Sequence, residues 1–244
     1  MSMRTYRSLL AGIFFAAYGL GSLLIGVLLF PLLTLAGAAQ TKRALVRFSW
    51  QILIGTAQLT RMIRLEISSE DRTRLAATRG KVVVANHPTL IDIVLLTILL
   101  PEATGIAKAA AKRNFFYSLI VKGMFLVNDD PEHVLTGAAD LLARGVNLVI
   151  FPEGTRTPVD GKAHPLRRGA AQIALRAQVP ILPVTITCTP PILAKGQPWY
   201  VVSDRIVVWR IQVGTEVVPS VPEGSVHAAA VSLTRTLSTA LFGV

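Results

Sequence analysis

Acidic residues are scarce in this chain: 14 Asp and Glu stand against 25 Lys and Arg, a formal charge of +11 in 244 residues. Charge of either sign is also thin, at 16% of residues against 52% hydrophobic. An average soluble domain carries about 25% charged residues, so part of the surface is expected to face something other than water. There is one cysteine, Cys188. That excludes an intrachain disulfide and any cysteine-based zinc set. Its setting, Thr185-Ile186-Thr187-Cys188-Thr189, reads as strand, with the thiol a small half-buried apolar group. The four histidines have no metal-ligand spacing, so no metal site is expected. No long Lys/Arg block and no pattern of stacking aromatics occurs, which argues against nucleic acid. The excess of bases favours an anionic lipid or an acidic carrier.

Residues Leu9 to Ala39 lack charge altogether. As one helix they would run roughly 45 Å, beyond the ~30 Å of a hydrocarbon core. The stretch is too long for the apolar core of a signal peptide, and a clear cleavage pattern is missing. Pro31 is placed to bend or end the helix. Two arrangements remain open: a tilted single span, or a shallow helix pair in one leaflet. Arg4 and Arg7 precede the stretch, whereas Lys42, Arg43, Arg47, Arg61 and Arg64 follow it. That asymmetry marks the C-terminal side as cytoplasmic. Lys42 to Leu65 reads either as an interfacial helix with Trp50 at headgroup level or as a core helix docked on the domain. The expected division is a membrane-anchoring helical segment at 1–65 and a catalytic domain at 66–244.

Beyond a polar connection from Glu66 to Gly80, strands and helices alternate. Strands are expected at Val82–Ala85, Thr104–Ala107, Met124–Val127, Val146–Phe151, Val179–Thr187 and Arg205–Val213. Helices are expected at Ile91–Leu100, Asn114–Lys122, Pro131–Arg144 with Gly145 as C-cap, Gly169–Gln178 and Ser225–Phe242. The fold class is therefore α/β: a mixed, largely parallel sheet flanked by helices, preceded by an N-terminal membrane helix or helix pair. Ligand sites in such sheets gather at the carboxyl ends of strands.

Two motifs follow directly after expected strands. In Asn86-His87-Pro88-Thr89-Leu90-Ile91-Asp92, Pro88 suits the first position of a helix. His87 would then lie outside the helix and fold back toward Asp92. A carboxylate on one ring nitrogen fixes the tautomer and leaves the other as a base. The bland alternative is a helix-capping histidine beside a surface aspartate. In Phe151-Pro152-Glu153-Gly154-Thr155-Arg156, Gly154 permits a backbone conformation other residues avoid. Arg156 can hold a phosphate or carboxylate with two parallel hydrogen bonds, and Glu153 can accept from a hydroxylated acceptor. The loop continues basic through Lys162, His164, Arg167 and Arg168. The bland alternative here is a solvated turn with a Glu–Arg surface pair.

The two motifs, in this order and spacing, resemble the glycerolipid acyltransferases, with Val179-Pro180-Ile181-Leu182-Pro183-Val184 similar to that family's later proline-containing strand. The resemblance covers Leu65 to Val213. It implies 1-acylglycerol-3-phosphate O-acyltransferase-like chemistry at a membrane, with acyl-CoA or acyl carrier protein as co-substrate and no other cofactor. By that likeness His87 is the general base and Asp92 its partner. Glu153, Gly154, Thr155 and Arg156 would hold a lysolipid acceptor, and Lys108 resembles a phosphate-binding lysine. The expected location is the cytoplasmic face of the inner membrane. One departure is visible: where the family carries Phe-Ile-Asp-Arg, this chain has Leu126-Val127-Asn128-Asp129, followed by Asp130. The variant resembles bacterial branches, some associated with aryl-polyene or related lipids, and motivates a second hypothesis of a specialised or non-phosphate acceptor. A third hypothesis is a non-catalytic binder of the membrane surface.

Overall fold

A computed structural model describes residues 3–109, 125–160, 164–198, 200–220 and 225–243. The N-terminal segment is helical almost throughout: α1 (Met3–Leu24), a π-helical stretch (Ile25–Leu29) and α2 (Phe30–Leu35). After a turn at Gly37, whose φ is +64°, α3 (Ala39–Leu59) runs back. The pairing is antiparallel: one buried cluster joins Ala11 to Ala57, Trp50 donates to the Tyr18 hydroxyl, and another cluster joins Phe30 to Val46. Proline at the start of α2 is tolerated there because its missing N–H sits in a first turn.

β1 (Ile63–Ile67), α4 (Ser69–Ala77), β2 (Val82–Ala85), α5 (Asp92–Leu99), β3 (Ala103–Lys108) and β4 (Leu126–Asn128) follow. Then come α6 (Pro131–Ala143), β5 (Asn147–Ile150), α7 (Gly169–Ala177), β6 (Ile181–Thr189), β7 (Val207–Val213) and α8 (Val226–Phe242). The seven strands form one sheet in the order β1-β7-β6-β2-β5-β3-β4. Every neighbouring pair is parallel except β6 with β7. Central β2 and β5 are buried runs, apolar but for Asn147, whose side chain is hydrogen-bonded to Lys81 N–H and Thr78 O, as strands covered on both faces require. One face packs Val82, Val84 and Leu148 against α6, α7 and α8. The other packs Val83, Val149 and Trp209 against α5, with Leu75 of α4 and Ile54 of α3.

The mixed, largely parallel sheet is the architecture the alternation implies, and each expected strand within the described residues appears, with ends shifted by one or two positions. The expected helix Asn114–Lys122, with Gly123 and Met124, lies outside the described residues, as does Lys162. Two elements differ from expectation. The helix running to Leu65 stops at Leu59, and Ile63–Ile67 is instead an edge strand paired with β7, straddling the expected division after residue 65. The polar connection from Glu66 contains α4, whose N-cap Ser68 accepts the Asp71 N–H at 3.0 Å. Trp50 is buried between the helices and the domain rather than at a headgroup surface.

Candidate active site

β2 delivers His87 to the carboxyl edge of the sheet, and the next residues fold back before α5 begins. The helix starts at Asp92, not at Pro88; residues 88–91 form a turn. That turn is closed by Asp92 itself. Its Oδ2 accepts the Thr89 N–H at 2.6 Å, and its Oδ1 accepts the Thr89 hydroxyl at 2.5 Å. The sequence Thr89-Leu90-Ile91-Asp92 carries the T-x-x-D spacing of a capping box, which points to a helix start here but two residues earlier than the observed one. The same Oδ2 lies 2.9 Å from His87 Nδ1. Asp92 is fully buried at the N-terminus of α5, where its two oxygens meet three partners, the Thr89 N–H, the Thr89 hydroxyl and His87 Nδ1. An aspartate accepting at Nδ1 sets the neutral ring to carry its proton there. His87 Nε2 has no hydrogen bond among the described residues.

The imidazole is clamped from several sides. Its ring stacks on Phe151, with centroids 4.1 Å apart and planes 16° from parallel. Thr157 binds its main chain twice: His87 N–H donates to Thr157 Oγ1 at 3.0 Å, and Thr157 N–H donates to His87 O at 2.7 Å. The Thr157 hydroxyl in turn donates to Glu153 Oε1. Thr157 is thus the joint between the two motifs; it directly follows the second motif, and only the fold reveals what it reaches. Asn86 anchors the other side, pairing its side-chain amide with the main chain of Ile186 at 2.8 and 2.6 Å.

Glu153 is buried, and its second oxygen accepts the His164 N–H at 3.2 Å. In this state the carboxylate organises the loop. Gly154 has φ +67°, and a Cβ there would come 2.7 Å from Arg167 Nε. Arg156 donates through Nη1 to the carbonyls of Leu193 and Ala194 at 2.8 and 2.9 Å, tying the loop to the segment after β6. Thr155 lies between them on the same turn. Lys108 ends β3 opposite Asn128 of β4. β2, β5 and β3 are adjacent, so Lys108 stands two strands from His87, roughly 10 Å across the sheet. Asp130 is the N-cap of α6, accepting the Glu132 N–H at 3.0 Å, which gives one of the two anions after β4 a local structural task. Burial pushes the Cys188 thiol up to about 12, which disfavours the thiolate that a nucleophile needs.

Residues 66–187 match the family model described as Acyltransferase. The chain belongs to the acyltransferase family. It is 34% identical over 133 residues to human 1-acyl-sn-glycerol-3-phosphate acyltransferase beta, covering 50% of this chain and 46% of that protein. The coconut palm (Cocos nucifera) 1-acyl-sn-glycerol-3-phosphate acyltransferase is 32% identical over 116 residues, 43% of this chain and 37% of its own length. The mouse alpha enzyme is 27% identical over 176 residues, 68% of this chain and 58% of its own. The matches therefore span less than two thirds of each relative. The crystal structure of the 1-acyl-sn-glycerophosphate (LPA) acyltransferase PlsC from Thermotoga maritima superposes with a TM-score of 0.59 at 22% identity, covering 96% of both chains. The acyltransferase fold thus extends across the N-terminal hairpin as well as the matched domain, and within it both motifs meet at one edge of the sheet.

Proposed function

We propose that the protein is a membrane-associated O-acyltransferase that moves a fatty acyl group from a thioester donor to the hydroxyl of a lysophospholipid such as 1-acylglycerol-3-phosphate. The observation that carries this is the buried Asp92 holding His87 Nδ1 at 2.9 Å while Thr157 ties the histidine to the Glu153 loop. His87 Nε2 takes the proton of the acceptor hydroxyl as its oxygen attacks the thioester carbonyl. Asp92 stabilises the imidazolium. The tetrahedral intermediate collapses, the carbon–sulfur bond breaks, and the thiolate recovers the proton from the imidazolium. An ester and a free thiol result. Gly154, Thr155 and Arg156, with Glu153 shaping their loop, hold the acceptor, and Lys108 supplies a cation for its phosphate.

The apolar hairpin supports a site that works at a lipid surface. Thr5–Leu35 is long and apolar enough to cross a membrane, yet both of its ends are tied to the catalytic body. Near one end Arg7 donates to the carbonyls of Arg61, Met62, Ser203 and Arg205. Near the other, Phe30 joins Val46 and Trp50 in a cluster packed by Val94 and Ile98 of α5, and Lys42 of α3 donates to Thr34. These ties support a helix pair lying in one leaflet over a single span; the excess of basic residues after the apolar stretch is what supports the cytoplasmic face of the inner membrane for the domain.

The test is turnover by the purified protein in detergent, given acyl-CoA or acyl-carrier protein and a panel of lysolipids. Product lipid and released thiol are both measured. His87→Ala is expected to lower turnover by at least about 10²-fold; unchanged turnover refutes the mechanism. Asp129 in place of the family's arginine favours a second reading, in which the same transfer serves a specialised, non-phosphate or aryl-polyene-type acceptor. A kcat/KM for lysophosphatidic acid above that of every other acceptor rejects it.

A further inference from the structure

A cleft of about 410 Å³ opens at the junction of α3, β1 and the segment leading into β7, lined by Gln58, Arg61, Ile63, Arg64 and Ile206. Its position is set by strand register. β6 is parallel to β2, β7 is antiparallel to β6, and β1 is parallel to β7 with Ile63 opposite Val207. The start of β1 therefore lies at the same end of the sheet as His87. It is three strand spacings from β2, about 14 Å sideways, and the register, which sets His87 level with Ile186, Ile211 and Ile67, puts Ile63 about 13 Å farther along the strands, a separation of roughly 19 Å. The His87–Asp92 unit also leans toward this side, since Trp209 of β7 donates to the Thr89 hydroxyl at 3.4 Å and Trp209 pairs in register with Leu65 of β1.

The backbone at Arg61 is costly. α3 ends with Met62 N–H on Ala57 O and Arg61 N–H on Gln58 O, the paired bonds of a Schellman cap. Arg61 occupies its left-handed position at φ 55°, where glycine is the usual residue and a side chain costs roughly 1–2 kcal/mol. Among the described residues the Arg61 guanidinium has no hydrogen bond or ion pair. Arg64 has only a 4.0 Å approach to Glu66, whose other oxygen is taken by Arg210 at 2.7 Å. Asp204 is the other acid on this side, and it acts on Arg7. Buried Arg7 braces both walls by binding the carbonyls of Arg61, Met62, Ser203 and Arg205 at 2.8–3.1 Å. The result is an open cleft rimmed by two exposed cations, one of them in a left-handed backbone position.

We propose that Arg61 and Arg64 bind the phosphate that terminates the donor's pantetheine arm; this rests on the acyl-transfer reading of the site. About thirteen bonds separate a thioester sulfur from that phosphorus, roughly 15 Å when extended at about 1.1–1.2 Å per bond. A thioester carbonyl at His87 brings the phosphate of an extended arm within reach of this cleft once arginine side chains of roughly 6 Å extend back toward it. Two guanidinium groups suit a phosphate bidentately, and the same group terminates the arm in CoA and in a carrier protein.

The experiment is calorimetric titration of the full-length protein in detergent with CoA, 4′-phosphopantetheine and pantetheine. It is run on wild type, Arg61→Gln, Arg64→Gln and the double variant. Binding of CoA and phosphopantetheine is expected to weaken about tenfold or more in the double variant, while pantetheine is unaffected. In turnover, donor KM rises and acceptor KM stays within about twofold. Arg61→Gly removes the side chain while relieving the backbone, so it separates loss of the cation from misfolding. Unchanged CoA affinity in variants with wild-type melting temperature overturns the proposal. So does loss of binding to phosphatidylglycerol vesicles with CoA affinity retained, which would assign the cleft to lipid headgroups. Titration needs no turnover, so an inert wild type would defeat the acyl-transfer reading while the phosphate site is still decided by the calorimeter.

Discussion

At Asp92 a fully enclosed carboxylate accepts from His87 and twice from Thr89, so Asp92→Asn keeps the shape but loses the charge and the tautomer. It is expected to lower kcat by about 10²–10⁴ with little change in KM, read from steady-state kinetics. Thr157→Val leaves the His87 N–H and a Glu153 oxygen without their partner. A loss of about 1–3 kcal/mol is expected in denaturant unfolding, with a fall in kcat because the imidazole loses its brace. Cys188, with its thiol pushed up to about 12 by burial, is a neutral thiol at pH 8, with a thiolate fraction of about 10⁻⁴. Cys188→Ala should therefore retain full activity, and the native protein should resist alkylation at that pH. The residue types of the two motifs are legible in the chain. Thr157, Phe151 and Trp209 are not legible as supports of His87 and Asp92, because each reaches them across the sheet rather than along the sequence.

Among the elements, legibility followed burial. β2 and β5 announce themselves as short apolar runs because both faces are covered. β1 alternates apolar with charged residues, a half-buried edge pattern, but a helix directly precedes it and masks the change of period. α4 buries only Leu75, so it lacks an apolar stripe; its Ser68 cap was the available signal. Arg7 fixes the N-terminal helix to the β1 and β7 lead-ins by four charge-assisted bonds. Arg7→Ala is expected to cost about 2–4 kcal/mol and to expose the Arg61–Met62 segment. Accelerated amide exchange at residues 61–63 and 205–207, with β2 and β5 still protected, is the measurement that checks it.

Across the whole molecule, the outward side of the hairpin leaves Leu9, Ile13, Leu20, Leu24, Leu28, Leu32 and Leu35 exposed. A continuous apolar face of this kind supports the proposed membrane contact. Replacing Leu28 and Leu32 with serine should weaken partitioning into phosphatidylglycerol vesicles by about tenfold or more, by co-sedimentation, without changing turnover of a detergent-dispersed acceptor. The sequence by itself determined the class of fold and the residues of the two candidate motifs: the His and Asp spacing, the glycine turn before Arg156, the alternation of strand and helix, and the uncharged N-terminus are local patterns with local physical causes. Tertiary structure decided which of these groups meet. Parallel pairing of β2 with β5 brings His87 to Thr157 and Glu153 across about seventy residues of chain. The return of α3 ties both ends of the apolar helix to one body, and the reversal of β7 carries the Arg61 cleft to the end of the sheet that holds His87. Such contacts depend on register and strand order, which no local pattern encodes.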